Sequence, residues 1–399
     1  MAVPLLHKIA HKRNLKHVWD ASPDAKGRKK ACGLDKVRSE DFGSKISDRI
    51  DEISRALIDG SFRFSDLKAV AFPKSDPNKY RIICIPTVAD RLVQRAIAGH
   101  LLSTEVDRLK IKNVVSHGFL KERGVASAVR EASKLRRHMP WALKSDIFSF
   151  FDEIDRTLLL ARVRKVIRSK AVYSILEQVV NCEIGNTDPD TRGKIEKTNI
   201  RRGKGLRQGM PLSPILSNFF LSDFDAYFID RRENLLRYAD DFIIFAETEE
   251  ECRSYYDVCL EQLQKLDLKI PDLGDGGKTE IFEPDRAAEF LGYEIAPKGD
   301  GAYRVLIPKR AFGELTKKVN SFAADANRKY KSFDSALHGL TNVIDGYMNA
   351  YHAAENSASL ENHLKILKVE CRRRMFEEVF GREAVSLLPS HKKVWLAIR

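Results

Sequence analysis

The apolar positions of this chain change period from segment to segment, and the changes mark its elements. Ile46, Ile50, Ile53 and Leu57 recur at helical spacing, which predicts a helix over 45–59 that Gly60 ends. Alternation then takes over. Val70-Ala71-Phe72-Pro73-Lys74 and Lys79-Tyr80-Arg81-Ile82-Ile83-Cys84-Ile85-Pro86 flank the polar turn Ser75-Asp76-Pro77-Asn78, predicting a β-hairpin with basic residues near its tip. Thr87 opens a helix running towards Leu102, and 124–138 reads as a basic helix. Trp141-Ala142-Leu143-Lys144-Ser145-Asp146 predicts a strand that ends on an acid and runs into the aromatic cluster Phe148-Ser149-Phe150-Phe151-Asp152.

Beyond a helix at 156–167, the polar stretch 181–205 with its scattered glycines reads as a flexible insertion. Leu206-Arg207-Gln208-Gly209-Met210-Pro211-Leu212 is a turn. Ser213 is the expected N-cap, and Pro214 starts a helix carrying Leu216, Phe219, Phe220, Phe224 and Phe228. The most informative pattern follows. Leu235-Leu236-Arg237-Tyr238 and Phe242-Ile243-Ile244-Phe245 bracket a tight break at Ala239-Asp240-Asp241, predicting strand, turn and strand with adjacent carboxylates at the bend. Thr248-Glu249-Glu250-Glu251 reads as a capping box before a helix faced by Cys252, Tyr256, Cys259, Leu263 and Leu266. Short strands are expected in 276–282 and 289–295. Residues 309–380 are mostly helical and basic, with Arg372-Arg373-Arg374 in the clearest basic helix.

Composition narrows the class. With 399 residues, 43% of them hydrophobic, the chain can bury a large core and divide into about two or three units. It lacks the run of about eighteen uncharged apolar residues that a membrane span needs. Its N-terminal apolar run is too short for a signal peptide, so a cytoplasmic location is expected. A formal net charge of +13 suits a polyanionic partner, nucleic acid before membrane. Cys32, Cys84, Cys182, Cys252, Cys259 and Cys371 show no zinc-site spacing and read as reduced, mostly buried thiols.

The chemistry starts from the paired acids. A solvated loop tip would carry them without consequence, but apolar flanks predict a buried, rigid tip, where like charges repel unless a cation sits between them. Oxygen-only ligands favour Mg²⁺, with Mn²⁺ as a substitute. Two such ions can activate a 3′-hydroxyl and hold a leaving pyrophosphate, given carboxylates converging from separate strands. Asp146, ending its own strand, is the third carboxylate beside Asp240 and Asp241. Lys79 and Arg81 are candidates for a triphosphate, although a solvated hairpin edge would carry the same residues. Lys278, following Gly276-Gly277, could approach the leaving phosphates or be a surface turn lysine. Phe151 could abut the sugar C2′ and exclude a 2′-hydroxyl, while Phe150 reads as core. Gln208 and Gly209 form a turn where a small residue lets the backbone approach a base or template.

Asp146-Ile147-Phe148-Ser149-Phe150-Phe151-Asp152, Arg207-Gln208-Gly209-Met210-Pro211-Leu212-Ser213-Pro214 and Tyr238-Ala239-Asp240-Asp241, in this order, resemble the reverse transcriptases, most closely the bacterial group II intron-like branch. Lys79-Tyr80-Arg81, Ile85-Pro86-Thr87, Ser116-His117-Gly118-Phe119, Lys278-Thr279, Phe290-Leu291-Gly292-Tyr293 and the thumb-like 344–351 add weaker support. The resemblance implies an α+β right-hand polymerase. Fingers would occupy 1–140, a palm of antiparallel sheet and helices 141–297 with an inserted segment at 168–205, and a helical thumb and C-terminal segment 298–399. In such an enzyme the residues matching Asp146, Asp240 and Asp241 hold two Mg²⁺ ions, and the Ile147 carbonyl completes a metal shell. Phe151 matches the sugar gate and Arg81 the grip on the triphosphate. The implied partners are an RNA template, dNTPs and a DNA product, with no membrane.

Departures narrow the biology further. Little sequence follows the thumb-like segment to build an endonuclease domain, and the scattered cysteines would not supply one. Ser213-Pro214 differs from the Ser-Gln ending of diversity-generating reverse transcriptases, and the Val-Thr-Gly of retron enzymes is missing from the thumb. What remains resembles stand-alone bacterial reverse transcriptases, many of which copy a non-coding RNA in antiphage defence. A maturase-like RNA-binding protein and untemplated or protein-primed DNA synthesis stay open. The intact acids count against a pure binder.

Overall fold

The computed structural model describes residues 4–27, 31–74, 76, 78–185, 188–274 and 277–398. Ser75, Pro77 and Gly276, read above, lie outside the described residues. The chain divides into two compact units. One comprises Met1–Lys121, Ser145–Phe242 and Arg253–Glu280, the other Glu122–Lys144, Ile243–Cys252 and Ile281–Arg399.

Strands β1 (Lys68–Pro73) and β2 (Tyr80–Ile85) form the expected antiparallel hairpin, with Phe72 opposite Arg81 and Pro73 opposite Tyr80. A four-stranded sheet is built from β3 (Trp141–Asp146), β4 (Asn234–Tyr238), β5 (Asp241–Ala246) and β6 (Glu280–Phe282), in the order β4-β5-β3-β6. That order sets the acid-bearing end of β3 beside the turn between β4 and β5. Strands β7 (Ala288–Phe290), β8 (Tyr293–Gly299) and β9 (Ala302–Leu306) form a separate antiparallel sheet. The α+β class expected from the sequence holds.

In the first unit, helix Ile46–Ile58 buries Ile50, Ile53 and Leu57, as their spacing predicts. Helix Val88–Thr104 begins where Thr87 Oγ1 accepts from the Asp90 N–H at 3.1 Å. Phe224 packs against Phe228 and Phe242 at ring-centroid distances of 5.1 and 5.7 Å. Each such ring pair is worth roughly 0.5–1.5 kcal/mol beyond area burial.

In the second unit, helices Lys309–Lys329, Phe333–Ala350 and Ser357–Phe380 bury apolar stripes that include Leu315, Val319, Leu340, Leu364 and Leu367. Arg136, on helix Val125–His138, is fully buried and donates to the carbonyls of Ile295 (2.6 Å), Arg286 (2.6 Å) and Glu283 (2.8 Å). Burial pushes its guanidinium down to about 10. No helix among the described residues is long and apolar enough to cross a membrane.

Several elements differ from the sequence reading. Ser213 is not the N-cap but the first helical residue, and its hydroxyl donates to the Arg207 carbonyl at 2.8 Å. The expected single helix breaks at Leu221 into Ser213–Phe220 and Ser222–Asp230. The capping box at Thr248 is shifted: Glu251 reaches the Glu247 N–H at 2.8 Å, while Thr248 Oγ1 accepts from the Glu251 N–H. Leu291 and Gly292, both at positive φ, turn the expected strand at 289–295 into the β7–β8 hairpin. Within the polar stretch, Asp188 caps a helix at Pro189–Glu196, where composition predicted only a loop. The amphipathic helix Lys170–Val180 precedes it. The thiols agree with expectation: five of the six are buried, and burial pushes Cys84, Cys182 and Cys252 up to about 12.

Candidate active site

A single cavity in the first unit gathers most of the residues singled out by sequence. The turn between β4 and β5 is tight because Ala239 adopts a left-handed conformation, φ +57. It sends Asp240 and Asp241 to the cavity wall. The Ile147 N–H donates to the Asp240 carbonyl at 3.0 Å, which staples the end of β3 to this turn and brings Asp146 to the same wall. Burial raises the Asp240 carboxyl above its ordinary value, and the Asp146 charge adds to the rise against Arg81 and Arg237. Asp146 Oδ1 is buried without a hydrogen-bond partner, while Oδ2 lies 3.6 Å from the Lys278 amine. Ser145 and Thr279, the residues preceding Asp146 and following Lys278, bring their hydroxyls within 2.7 Å and hold the two segments together.

Among the described residues, no trio of acidic, histidine or cysteine side chains is already drawn to metal-binding spacing. The fit of a cation rests on charge and donor chemistry. An orphaned carboxylate oxygen, a second carboxyl raised by burial and a third acid beside it are oxygen donors short of positive charge, which suits a hard divalent ion.

The other predicted residues divide. Arg81, Ile147, Phe151, Gln208 and Lys278 line the cavity. Lys79 does not: its side chain is 70% exposed, with the amine 3.7 Å from Asp76, and Lys74 stands at the wall instead. Gly209 lies behind Gln208 at φ +102, where a Cβ would come within 2.5 Å of the Cys84 carbonyl. Only glycine fits there, and the Gln208 carbonyl accepts from the Cys84 N–H at 2.7 Å, so this turn is docked on β2. Phe150 is core, at 2% exposure, as expected.

Sequence reasoning missed Asp152, Thr198, Ile200 and a functional place for Phe119, all of which line the cavity. Asp152 is raised to about 6 by burial, against the nearby charges of Arg207 and Lys74. Thr198 and Ile200 arrive because Asn199 donates to the Ser149 hydroxyl at 2.6 Å. The Asp188-Pro189 helix start was the available signal for order in that stretch.

Behind the turn lies a buried polar network. Arg237, with no exposed surface, forms a two-pronged pair with Asp225 at 2.7 and 2.6 Å. It also donates to the Ala239 carbonyl (3.0 Å) and to Asn218 Oδ1 (3.1 Å), and Asn218 in turn donates to the Gly118 carbonyl (2.8 Å).

The chain is similar to known proteins over more than half of its length. The family described as reverse transcriptase (RNA-dependent DNA polymerase) matches residues 72–295, more than half of the chain. Protein YkfC of Escherichia coli (strain K12) is 27% identical over 294 residues, covering 61% of this chain and 73% of that one. Group II intron-encoded protein LtrA of Lactococcus lactis subsp. cremoris is 24% identical over 420 residues, covering 81% and 67%. A solved chain of a partial Cas6-RT-Cas1–Cas2 complex is similar at 21% identity and TM-score 0.37, over 66% of this chain and 42% of that chain, so less than half of that chain is spanned. The matched residues run from the β1–β2 hairpin through Asp146 and the Asp240-Asp241 turn, and with them the chain belongs to the reverse transcriptases, the RNA-directed DNA polymerases.

Proposed function

We propose that this cavity adds dNTPs to a 3′-hydroxyl by copying an RNA template. The observation that supports the reading most is the meeting of Asp146 with Asp240 and Asp241, from separate strands, at a cavity also lined by Arg81, Phe151, Gln208 and Lys278. On this reading Asp146, Asp240, Asp241 and the Ile147 carbonyl would hold two Mg²⁺ ions, or Mn²⁺. When bound, such ions acidify the primer hydroxyl and neutralise the leaving pyrophosphate. Arg81, exposed on β2, offers its planar fork of donors to the triphosphate. Lys278 offsets part of the Asp146 charge and can protonate the departing pyrophosphate. Phe151 walls the sugar against a 2′-hydroxyl. Gln208, fixed on β2 through its own backbone, faces the base or template, with Gly209 letting the turn pack closely on Cys84. Lys79 stays near the hairpin tip as an outer phosphate contact. Residues 1–140 then act as fingers, 141–297 as palm and 298–399 as thumb.

We extend the reading to a non-coding RNA copied in antiphage defence, supported by the resemblance to stand-alone bacterial reverse transcriptases. The test is primer extension by the purified chain with an RNA template, dNTPs and Mg²⁺. Incorporation lost in the Asp240→Ala, Asp241→Ala variant supports polymerisation. RNA binding without incorporation by the wild-type chain would favour a maturase-like binder, and incorporation without a template would favour untemplated synthesis. Phe151→Ala should admit ribonucleotides. Sequencing the copurifying nucleic acid tests the template: a random RNA population counts against a dedicated non-coding RNA.

A further inference from the structure

Phe119 is an odd residue to find at a polymerase cavity wall. It holds a left-handed backbone, φ +62, which is unfavourable for a large side chain, and it is 40% exposed. Such strain persists only where the surroundings impose it, and here they do. The segment before it runs parallel to β4: the Arg237 N–H donates to the Val115 carbonyl (2.9 Å) and the His117 N–H to the Arg237 carbonyl (2.8 Å). Gly118 then meets the catalytic turn. A Cβ at Gly118 would come within 2.7 Å of the Ala239 backbone nitrogen, so the two backbones touch with no side chain between them. The Gly118 carbonyl is held by Asn218, and Asn218 by the same Arg237 that holds the Ala239 carbonyl. One buried guanidinium thus sets both the acidic turn and the loop that presents Phe119.

The Phe119 ring meets Phe151 edge-on at 6.4 Å and 81°, and Tyr238 at 6.1 Å. Phe151 also meets the core ring Phe150 at 5.4 Å. Phe151 is therefore braced between a ring buried in the core and a ring fixed to the catalytic turn. We infer that Phe119 is a positioning residue that holds Phe151 against the sugar and so sets the discrimination between deoxy- and ribonucleotides. The inference rests on the gate reading of Phe151 proposed above. Without its brace, the Phe151 ring can swing away from Phe150 and make room for a 2′-hydroxyl. The acids are untouched by this movement.

The experiment measures kcat/KM for a dNTP and for the matching rNTP with the full chain on one RNA template–primer. Variants are Phe119→Ala, Phe119→Leu, Phe119→Tyr, Phe151→Ala and the Phe119→Ala, Phe151→Ala double. Phe119→Ala and Phe119→Leu should shift the ratio towards ribonucleotides by about tenfold, through the rNTP KM. Phe119→Tyr keeps the ring and should keep the ratio. The double variant should be no more permissive than Phe151→Ala alone, because both act through one ring. An unchanged ratio in both Phe119→Ala and Phe119→Leu, with Phe151→Ala permissive, overturns the inference. So does a loss of both substrates in equal proportion. An unchanged ratio in Phe151→Ala overturns the gate reading beneath it.

Discussion

Arg237 in the first unit and Arg136 in the second are both fully buried, yet they are satisfied in different ways. Arg237 is paired with the buried carboxylate Asp225 and spends its remaining donors on Asn218 and the Ala239 carbonyl. Arg136 meets carbonyls from the segments around Glu283, Arg286 and Ile295, with the Tyr303 ring 4.6 Å beneath it. The first is a charge pair whose loss strands an ion. The second is a cationic clamp on neutral backbone, and burial lowers it to about 10 because no carboxylate compensates. The difference teaches where positional accuracy is concentrated. The charge pair holds the Asp240-Asp241 turn through the Ala239 carbonyl, and the neutral clamp ties together a sheet and helix that carry neither of those acids.

The largest expected effect separates chemistry from stability. Asp240→Ala with Asp241→Ala should lower incorporation on the order of a thousandfold or more. The unfolding midpoint in urea should hold or rise, because burial and the Asp146 charge already disfavour the ionised Asp240. A variant that unfolds early would mean that the acids, not Arg237, hold the turn. Next is Arg237→Met, which leaves Asp225 buried without its cation, with Asn113 as a neutral donor at 2.9 Å, and should cost about 3–5 kcal/mol in urea titrations. Adding Asp225→Leu should restore much of that stability but little activity, since the Ala239 carbonyl and Asn218 still lack their donor.

A buried acid without a cation sharpens the contrast. Asp90, at 2% exposure, is raised to about 6 by burial, with Thr87 and Ser65 as opposing donors. Its folded-state value lies above the unfolded one, so its stabilising contribution is complete below pH ~4 and lost as pH rises through ~6, a change of about 3 kcal/mol. Asp90→Asn should therefore exceed wild type in stability at pH 7 and approach it near pH 4, read by urea melts at both values. The smallest effect belongs to the neutral clamp. Arg136→Met leaves carbonyls unpaired but no stranded ion, and should cost about 1–3 kcal/mol. A loss as large as that of Arg237→Met would erase the comparison.

Much of this was legible beforehand. The β1–β2 hairpin, the strand ending at Asp146, the acidic turn and the C-terminal helices each follow from a local period that the folded chain keeps. Ser213 misled because a serine before proline is a common cap. Here the Arg207 carbonyl, brought close by the preceding turn, takes its hydroxyl instead. The stretch 181–205 misled because polar composition hides a short capped helix. Lys79 and Lys74 both flank the hairpin tip, and only the folded hairpin shows Lys74 at the cavity wall and Lys79 turned to Asp76.

The sequence by itself determined the class of chemistry. Asp146, Gln208-Gly209 and Asp240-Asp241 in that order, on strands and turns that periodicity predicts, need no coordinates to be read. What only the tertiary structure decided is how those groups are held. Gly118 against Ala239, Asn218 between Gly118 and Arg237, and Phe119 against Phe151 join residues far apart in the chain. Such contacts leave no period or spacing in the sequence. They follow from backbones that approach closely and from a buried charge that must find every one of its partners at once.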